Sequence, residues 1–380
     1  MNNNVKLFIS RTLKFVALLL PLACLVCFAQ KNLFFFEDAN TRRLERFYLE
    51  EENSIDVVVM GASETFTGFA PGYAYENFGF TSYVYGMDSN LGSLYLPQLK
   101  EVLKHQDPQV ILVDVYGFLW GEDWGERIDE ARFRIFVESI PFSMNKVQTI
   151  LSQPYDNKIS YFMPYIKYHG EFATAKDRLL LLGEEELELP DLKGIITETV
   201  IYDGEGHPGE TVDPDTYGLS EEMIECLNEF LDYCEKNNVD DNVVFVNFPR
   251  FLECEDTHNL LVMATRVEEI VEARGYELLN LQKEKPQIGI DVNHDFYNMH
   301  HLNIYGQMKL TDYLGDKLIN EYNVVPTEQS AENQAKWEKC MLDTRQYFQM
   351  VDALIDSGFE YIIYEAAYEW FNPAEILNAA

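Results

Sequence analysis

Five short apolar runs alternate with longer segments of helical periodicity along most of the chain. The runs are continuously hydrophobic, which is typical of strands buried on both faces. They lie at residues 56–60, 82–85, 110–115, 243–247 and 277–281. Between them, apolar residues three and four positions apart predict helices at 94–105, 223–234 and 260–273. Strand and helix repeated in this order predict an α/β fold, a mostly parallel sheet with helices on both sides.

Residues 118–218 interrupt this alternation. The segment is rich in aromatic residues and ends in an acidic loop that contains glycine. Two interpretations are open: a helical insertion that caps a site at the sheet edge, or a helical excursion packed on the core, since aromatic stripes serve both purposes. His169 is the titratable residue of this segment that we select as a candidate substrate contact, with a purely structural histidine as the alternative.

The pattern changes again after residue 302. Apolar spacing predicts an amphipathic helix that ends near Tyr322 and closes a main domain of residues 31–324. A linker follows, then a helical stretch at about 333–356 and a strand-like run at 361–364. Residues 329–380 are therefore interpreted as a small C-terminal α/β appendage.

The N-terminus has the pattern of a segment engaged by the secretion machinery. Lys6, Arg11 and Lys14 precede an apolar run at residues 15–29. The two main interpretations are an uncleaved signal anchor within residues 1–30 and a signal peptide cleaved after Ala29. A lipoprotein is disfavoured, because the residues before Cys24 and Cys27 do not make a good lipidation site. Basic residues ahead of the run keep the N-terminus in the cytoplasm. The pattern predicts a single-pass protein of the cell membrane with an extracellular domain, or a secreted protein if the segment is removed.

The charge of the chain limits its partners, and its cysteine content bears on disulfide bonds. The chain has 29 basic and 64 acidic residues, a formal net charge of −35. Because nucleic-acid binding depends on clustered lysine and arginine residues, this balance argues against nucleic acid as a partner. Cys226 and Cys234 lie about 12 Å apart on one predicted helix, too far to bridge. A pairing of Cys254 with Cys340 has no support, so we expect a large core without disulfide bonds.

Two distant segments carry the candidate chemistry. The first runs through Val59-Met60-Gly61-Ala62-Ser63 and predicts a buried strand, a tight glycine turn and a presented serine. The second, residues 295–303, supplies histidines. A serine hydroxyl becomes an effective nucleophile when a hydrogen-bonded base removes its proton. Ser63 alone would be interpreted as a turn serine, but the two segments together predict a serine-dependent acyl-group enzyme.

At these residues the chain resembles the SGNH/GDSL hydrolase superfamily. Within it, the chain is similar to the branch of membrane-anchored surface-polymer proteins that includes the teichoic-acid D-alanyl transfer protein and the alginate O-acetylation proteins. Ser63 matches the serine that follows the first strand in that branch. His301-Leu302-Asn303, with Gly306 three residues on, matches the late motif of the family, which is the more specific of the two. The resemblance spans about residues 50–322.

The resemblance implies a flavodoxin-like three-layer α/β/α sandwich and ester hydrolysis or acyl transfer without a cofactor. It makes Ser63 the nucleophile, His301 the base and Gly86 an oxyanion donor, with Asn90 a weak match for a further donor. The implied substrate is an acetyl or D-alanyl ester on a cell-surface polysaccharide or teichoic polymer. A membrane acyltransferase is the implied protein partner.

The chain departs from the family pattern at one position. The family places an acid three residues before the histidine, where this chain has Asn298. An amide cannot stabilise an imidazolium as a carboxylate does, and in serine proteases the equivalent change lowers turnover about ten-thousand-fold. Three explanations are open: Asp295 substitutes for the acid, a Ser-His pair works slowly, or catalysis has been lost and binding kept.

Two functions therefore follow from the sequence. The first is an exported serine-dependent esterase or acyltransferase, and the second is a catalytically impaired binding or scaffold protein of a surface-polymer assembly. A metal site formed by His294, Asp295, His300 and His301 is disfavoured, because neighbouring ligands on so short a segment rarely share one tetrahedral site.

Overall fold

A computed structural model describes residues 3–36, 39–119, 130–181, 191–198, 200–204, 218–251, 255–356 and 362–363. The chain divides into two compact units. Unit 1 comprises Met1–Glu37 and Val147–Leu187, and unit 2 comprises Asp38–Lys146 and Glu188–Ala380.

Unit 2 is built on a five-stranded parallel sheet. The strands of the described chain are β1 (Val57–Gly61), β2 (Ser82–Gly86), β3 (Val110–Asp114), β4 (Thr197–Glu198), β5 (Val243–Asn247), β6 (Glu277–Asn280) and β7 (Ile362–Ile363). The five-stranded sheet has the order β2-β1-β3-β5-β6, and every neighbouring pair in it is parallel. This order is that of the flavodoxin-like doubly wound fold.

The helices of the described chain surround this sheet or belong to unit 1. They are α1 (Asn3–Asn32), α2 (Ala39–Arg46), α3 (Ser63–Gly68), α4 (Pro71–Phe78), α5 (Gly92–His105), α6 (Glu130–Ser139), α7 (Met144–Ser152), α8 (Ile159–Phe162), α9 (Tyr165–Tyr168), α10 (Phe172–Leu181), α11 (Glu221–Asn237), α12 (Glu255–Ala273), α13 (Lys285–Ile288), α14 (Ile304–Asn320) and α15 (Ala331–Asp356).

Both faces of the sheet are covered, as the continuous hydrophobicity of the strands predicts. Successive strand residues point to opposite faces. Val57 and Val59 pack in one core cluster with Leu310 of α14 and with apolar residues of α15. On the other face, the ring of Phe245 in β5 lies 5.9 Å from the ring of Phe230 in α11, and α11 packs on α5. The predicted α/β sandwich is confirmed, and the five predicted strands agree with the structure to within one residue at each end.

The described part of the C-terminal segment, residues 329–356 and 362–363, belongs to unit 2. Its helix α15 packs along α4, and Trp337 on this helix is completely buried. The approach is close enough that a Cβ on Gly72 of α4 would lie 2.1 Å from the Thr344 hydroxyl oxygen. Strand β7 pairs antiparallel with β4. The predicted helix and strand exist, but the helix completes the core.

The predicted insertion at 118–218 is divided between the two units. Residues 147–187 belong to unit 1 with the N-terminal helix. Residues 191–198 belong to unit 2, where Leu192, Ile195 and Ile196 are buried in the main core cluster. The main chain there is fixed by hydrogen bonds from the Ile196 amide to the Phe66 carbonyl (3.0 Å) and from the Val84 amide to the Lys193 carbonyl (3.0 Å).

Among the described residues, one helix, α1 of unit 1, is long and apolar enough to cross a membrane. The stretch Ser10–Asn32 of α1 spans 23 residues with a mean hydropathy of 2.3, and none of its most apolar window is buried. Signal anchors and signal sequences both have this character. The described cysteines, Cys226 and Cys340 among them, have free thiols, whereas Cys254 lies outside the described residues.

Candidate active site

The turn that presents Ser63 depends on a glycine at the end of β1. Gly61 has a φ of +153°, and a Cβ there would lie 2.4 Å from the Cβ of Asp114 on the neighbouring strand. The chain then passes through Ala62, whose amide donates to Asp114 Oδ2 at 3.2 Å, and enters α3 at Ser63. The serine therefore lies at the carboxyl edge of the sheet, where ligands of doubly wound folds bind.

His301 contacts this serine directly. Its Nε2 atom lies 2.7 Å from Ser63 Oγ, and both residues are partly exposed. A short bridge between Phe296 and Leu302, together with a 2.9 Å hydrogen bond from the Tyr297 amide to the His301 carbonyl, holds the histidine. The distance is that of a nucleophile and its general base. The two predicted segments thus meet as a Ser-His pair.

The remaining residues of the late motif build the loop. Asn303 caps α14, because its Oδ1 accepts from the amides of Tyr305 (3.0 Å) and Gly306 (3.3 Å). Its Nδ2 donates to the carbonyl of His294 at 2.6 Å. Gly306 leaves space for the loop, since a Cβ there would lie 2.4 Å from the Asp295 carbonyl oxygen. These contacts give the motif a physical reason, which is to fix the path of the chain before and after the histidine.

Asn298 does not contact the imidazole. Its Oδ1 accepts from the backbone amides of His300 (2.8 Å) and His301 (3.0 Å). Asn298 therefore does not orient the ring as the family acid would, because a tight turn uses its side-chain oxygen. Asn298 positions the backbone of His301 instead.

Asp295 is also engaged elsewhere. Its buried carboxylate accepts from Lys309 Nζ (2.6 Å), from the Asp291 amide (2.7 Å) and from His294 Nδ1 (3.0 Å). If Asp295 turned toward the His301 ring, its carboxylate would lose these partners. Breaking a buried ion pair in this way costs several kcal/mol. In this structure Asp295 therefore does not take the place of the acid. Within the described residues, the one hydrogen bond of the His301 ring is the contact with Ser63.

A buried ion pair lies beside the serine and was not predicted. Glu64 follows Ser63 directly, and its Oε2 lies 3.4 Å from Ser63 Oγ. Its Oε1 accepts from Arg250 Nη2 at 3.1 Å and from Nε at 3.3 Å. The two side chains are only 2% and 3% exposed, so the pair is screened little by solvent. Arg250 also donates to Asn247 Oδ1 at 2.9 Å, which ties the pair to the carboxyl end of β5.

These charges bear on the protonation of the base. Burial lowers the pKa of His301 below its ordinary value, while the carboxylates of Glu64 and Asp88 oppose this shift and the Arg250 guanidinium reinforces it. The imidazole is therefore neutral at neutral pH and can accept a proton. Burial and, after it, the nearby charge of Glu64 raise the pKa of Asp114 to about 7.

Gly86 lies beside the serine turn as the sequence suggested. It is the last residue of β2 and pairs with Gly61, and a Cβ there would lie 2.2 Å from Thr65 Oγ1. Its position is compatible with the predicted oxyanion role, which stays a prediction.

Asn90 has a different task. Its Nδ2 donates to the Gly61 carbonyl (3.0 Å) and to Gln98 Oε1 (2.7 Å). Both N–H groups of the side chain are thereby used within the fold. Asn90 thus stabilises the serine turn and has no side-chain donor left for an oxyanion.

His169 belongs to unit 1, whereas the Ser-His pair belongs to unit 2. It is exposed, and its Nδ1 contacts the Ile166 carbonyl at 2.9 Å. Its role as a substrate contact stays a prediction.

The described part of the chain contains no group of three or more histidine, cysteine, aspartate or glutamate residues arranged to hold a metal ion.

Comparison with known proteins adds no family assignment. No protein-family model matches the chain, and no curated protein matches it at a significant level.

Proposed function

We propose that the chain is a serine-dependent esterase or acyltransferase in which Ser63 is the nucleophile and His301 the general base. The observation that carries the proposal is the 2.7 Å contact between Ser63 Oγ and His301 Nε2. It joins two segments that resemble the catalytic motifs of SGNH/GDSL hydrolases. The lowered pKa of His301 supplies the neutral imidazole that such a mechanism requires.

The reaction proceeds through an acyl-enzyme. Ser63 Oγ attacks the ester carbonyl carbon while its proton moves to His301 Nε2. Collapse of the tetrahedral intermediate breaks the bond to the alcohol, which leaves with the proton from Nε2. Water or a second hydroxyl then attacks the acyl-serine by the same steps in reverse order, which releases the acid or the new ester.

The Glu64–Arg250 pair takes the place of a triad acid in this proposal. A triad carboxylate orients the imidazole and stabilises the imidazolium that forms. Here the ring is held by its backbone loop, and Glu64, 3.4 Å from the reacting oxygen, provides a negative charge. Arg250 offsets part of that charge and keeps the carboxylate in place. Glu64 is thus a positioning and electrostatic residue, and we expect turnover below that of a complete triad.

Substrate and location are proposed from the family resemblance and the N-terminal helix. We propose that α1 anchors the chain in the cell membrane and that the enzyme acts on acetyl or D-alanyl esters of a surface polysaccharide or teichoic polymer, together with a membrane acyltransferase. A surface of net charge −35 repels a polyanionic polymer that comes within about 8–10 Å, the distance beyond which salt screens the charges. This favours neutral or zwitterionic polymers over strongly anionic ones.

A fluorophosphonate probe tests the catalytic proposal. The full-length chain in detergent should be modified at Ser63, as read by peptide mass, and labelling should disappear in Ser63→Ala and fall at least about 100-fold in His301→Ala. His300→Ala is the matched control, because it removes the adjacent imidazole and leaves the Ser63 contact in place. Equal labelling in wild type and His301→Ala would reject His301 as the base.

A binding or scaffold protein is the second candidate. It is favoured by one observation, that Asn298 and Asp295 both direct their side-chain oxygens away from the His301 ring. Absence of labelling at Ser63 in a folded protein, with retained binding of a surface glycan, would select this function.

A further inference from the structure

Unit 1 exposes an apolar surface that its own helices do not cover. Beyond the N-terminal helix, several large apolar side chains between residues 159 and 181 are 40–68% exposed: Ile159, Ile166, Phe172, Leu179 and Leu180. Exposed apolar patches of this kind mark a binding surface for protein or lipid.

Helix α10 places its exposed apolar residues on one side. At 100° per residue, Phe172, Leu179 and Leu180 fall within an arc of about 100°. Lys176 lies in the same arc, and Ala175, only 6% exposed, is turned inward. An apolar face that contains a lysine is typical of helices that lie in a membrane interface, since the lysine stem packs among acyl chains while its ammonium group reaches the headgroups.

This surface is fixed to the end of the candidate membrane helix. The ring of Phe34, two residues after α1 ends, contacts Tyr165 (5.2 Å) and Phe172 (6.2 Å) edge-on. Arg178 donates to the carbonyls of Phe35 (2.9 Å) and Leu33 (3.3 Å), and its guanidinium covers the Phe35 ring at 3.8 Å. Residues 165–178 are therefore held at the level where α1 would leave the bilayer.

The charge of the segment differs from that of the chain. Residues 147–181 contain four lysine or arginine residues and three aspartate or glutamate residues, whereas the whole chain has a net charge of −35. Anionic lipid headgroups repel acidic surfaces and attract basic ones. This stretch is thus a nearly neutral, slightly basic region of an otherwise strongly acidic protein.

From these contacts we infer that residues 159–181 lie in the headgroup and upper acyl region of a phospholipid bilayer, at the side where α1 ends. The inference rests on the proposed membrane anchor and extends it. The protein is attached to the membrane by the spanning helix α1 and also by the interfacial surface of residues 159–181. This surface fixes the orientation of α1.

A lipid photocrosslinking experiment tests the inference. The full-length chain is placed in nanodiscs of phosphatidylcholine and phosphatidylglycerol that carry a diazirine in the upper acyl chain, and adducts are mapped by peptide mass. We expect adducts in residues 10–32 and also in residues 159–181. Replacing both Leu179 and Leu180 by glutamate should lower the second yield at least fivefold and leave the first unchanged. Leu342→Glu, at an exposed leucine of α15, is the matched control and should change neither.

The possible outcomes separate the two proposals. Adducts in 10–32 alone would overturn the interfacial surface while leaving the anchor, and would assign the apolar patch to a protein partner. Adducts in 159–181 alone would support the surface and reject the spanning helix. Adducts in neither segment would overturn both.

Discussion

Glu64 and Arg250 form an ion pair whose members stand 186 residues apart and are both almost completely buried, with Arg250 Nη2 3.1 Å from Glu64 Oε1. The pair lies directly beside the Ser63 hydroxyl. Burial of two opposite charges is favourable only when each has its partner, and removal of one member typically costs about 3–5 kcal/mol. The electrostatics of the candidate site therefore depend on both residues together.

Glu64→Gln and Arg250→Gln should shift the pKa of His301 in opposite directions. Glu64 stabilises the imidazolium and Arg250 opposes it, so the first variant should lower the pKa of His301 and the second should raise it. The chain has seven histidines, and 13C labelling of their imidazoles allows each to be titrated by NMR. The signal that is missing in His301→Ala is assigned to His301. Shifts of the same sign would indicate a general loss of structure and reject the electrostatic role.

The rate of fluorophosphonate labelling should rise with pH and reach half its maximum below pH 6.5. Only the neutral imidazole accepts the serine proton, and burial lowers the pKa of His301 from its ordinary value of 6.5. The base is thus already present at pH 6.5 and is lost as the pH falls through the lowered pKa. Labelling rates between pH 4.5 and 8.5 give the midpoint, and a midpoint above pH 7 would contradict the structure.

Asn298→Asp should not restore a triad. The side-chain oxygen at this position accepts from two backbone amides and does not reach the ring, and aspartate can make the same contacts. We expect the labelling rate to change by less than about threefold, under 1 kcal/mol in the barrier. Asn298→Ala should instead destabilise the loop by about 1–2 kcal/mol, since it leaves two amides without an acceptor. A hundredfold gain in Asn298→Asp would show that the loop rearranges.

Gly61→Ala should prevent formation of the serine turn. Its Cβ would lie 2.4 Å from Asp114 Cβ, at a φ of +153°, and such overpacking costs about 3 kcal/mol or more when the backbone is also strained. Gly275→Ala separates backbone strain from steric overlap, because Gly275 has a φ of +87° with no heavy atom within 4 Å of the added Cβ. Strain alone should lower the free energy of unfolding by about 1–2 kcal/mol. Gly218→Ala, with open space and no positive φ, should be neutral. Chemical unfolding of the three variants measures the series.

Trp337→Ala should destabilise the whole of unit 2. The side chain is completely buried between α15 and the core, and loss of a buried tryptophan costs about 3–5 kcal/mol. Leu342→Ala, on the same helix at a side chain 47% exposed, should change the free energy of unfolding by less than about 0.5 kcal/mol. A separate early transition for α15, with little effect of Trp337→Ala on the main one, would restore the interpretation of an appendage.

The elements of the fold were accessible from the sequence because each is encoded locally. Continuous apolar runs gave the five strands, and their placement within one residue follows from burial on both faces. The position of α15 was not accessible, because Trp337 meets residues of α4 that stand more than 250 positions earlier. Neither helix signals this pairing in its own periodicity.

The candidate site also contains residues that the sequence predicts and residues that it does not. Ser63 and His301 carry local signatures, a glycine turn after a strand and a capped helix after a histidine. Glu64 and Arg250 carry none, since an acidic residue is common in this chain and an arginine after Phe248-Pro249 has no distinctive pattern. Topology supplied a partial clue, because Arg250 follows the carboxyl end of β5, at the edge where Ser63 lies. The engagement of Asn298 and Asp295 with other groups depended on loop geometry and could not be read from spacing.

In the proposed mechanism, chain order also sets the time at which the serine becomes reactive. Ser63 is synthesised 238 residues before His301, and α15, which packs on α4, follows later still. At ribosomal rates of about 5–20 residues per second, the interval between the nucleophile and its base is roughly 10–50 s. During that interval the serine is an ordinary hydroxyl. A chain threaded through a translocation channel as it is made would therefore acquire a reactive serine only after most of it had crossed, and the cytoplasm would be protected from its chemistry without any inhibitor.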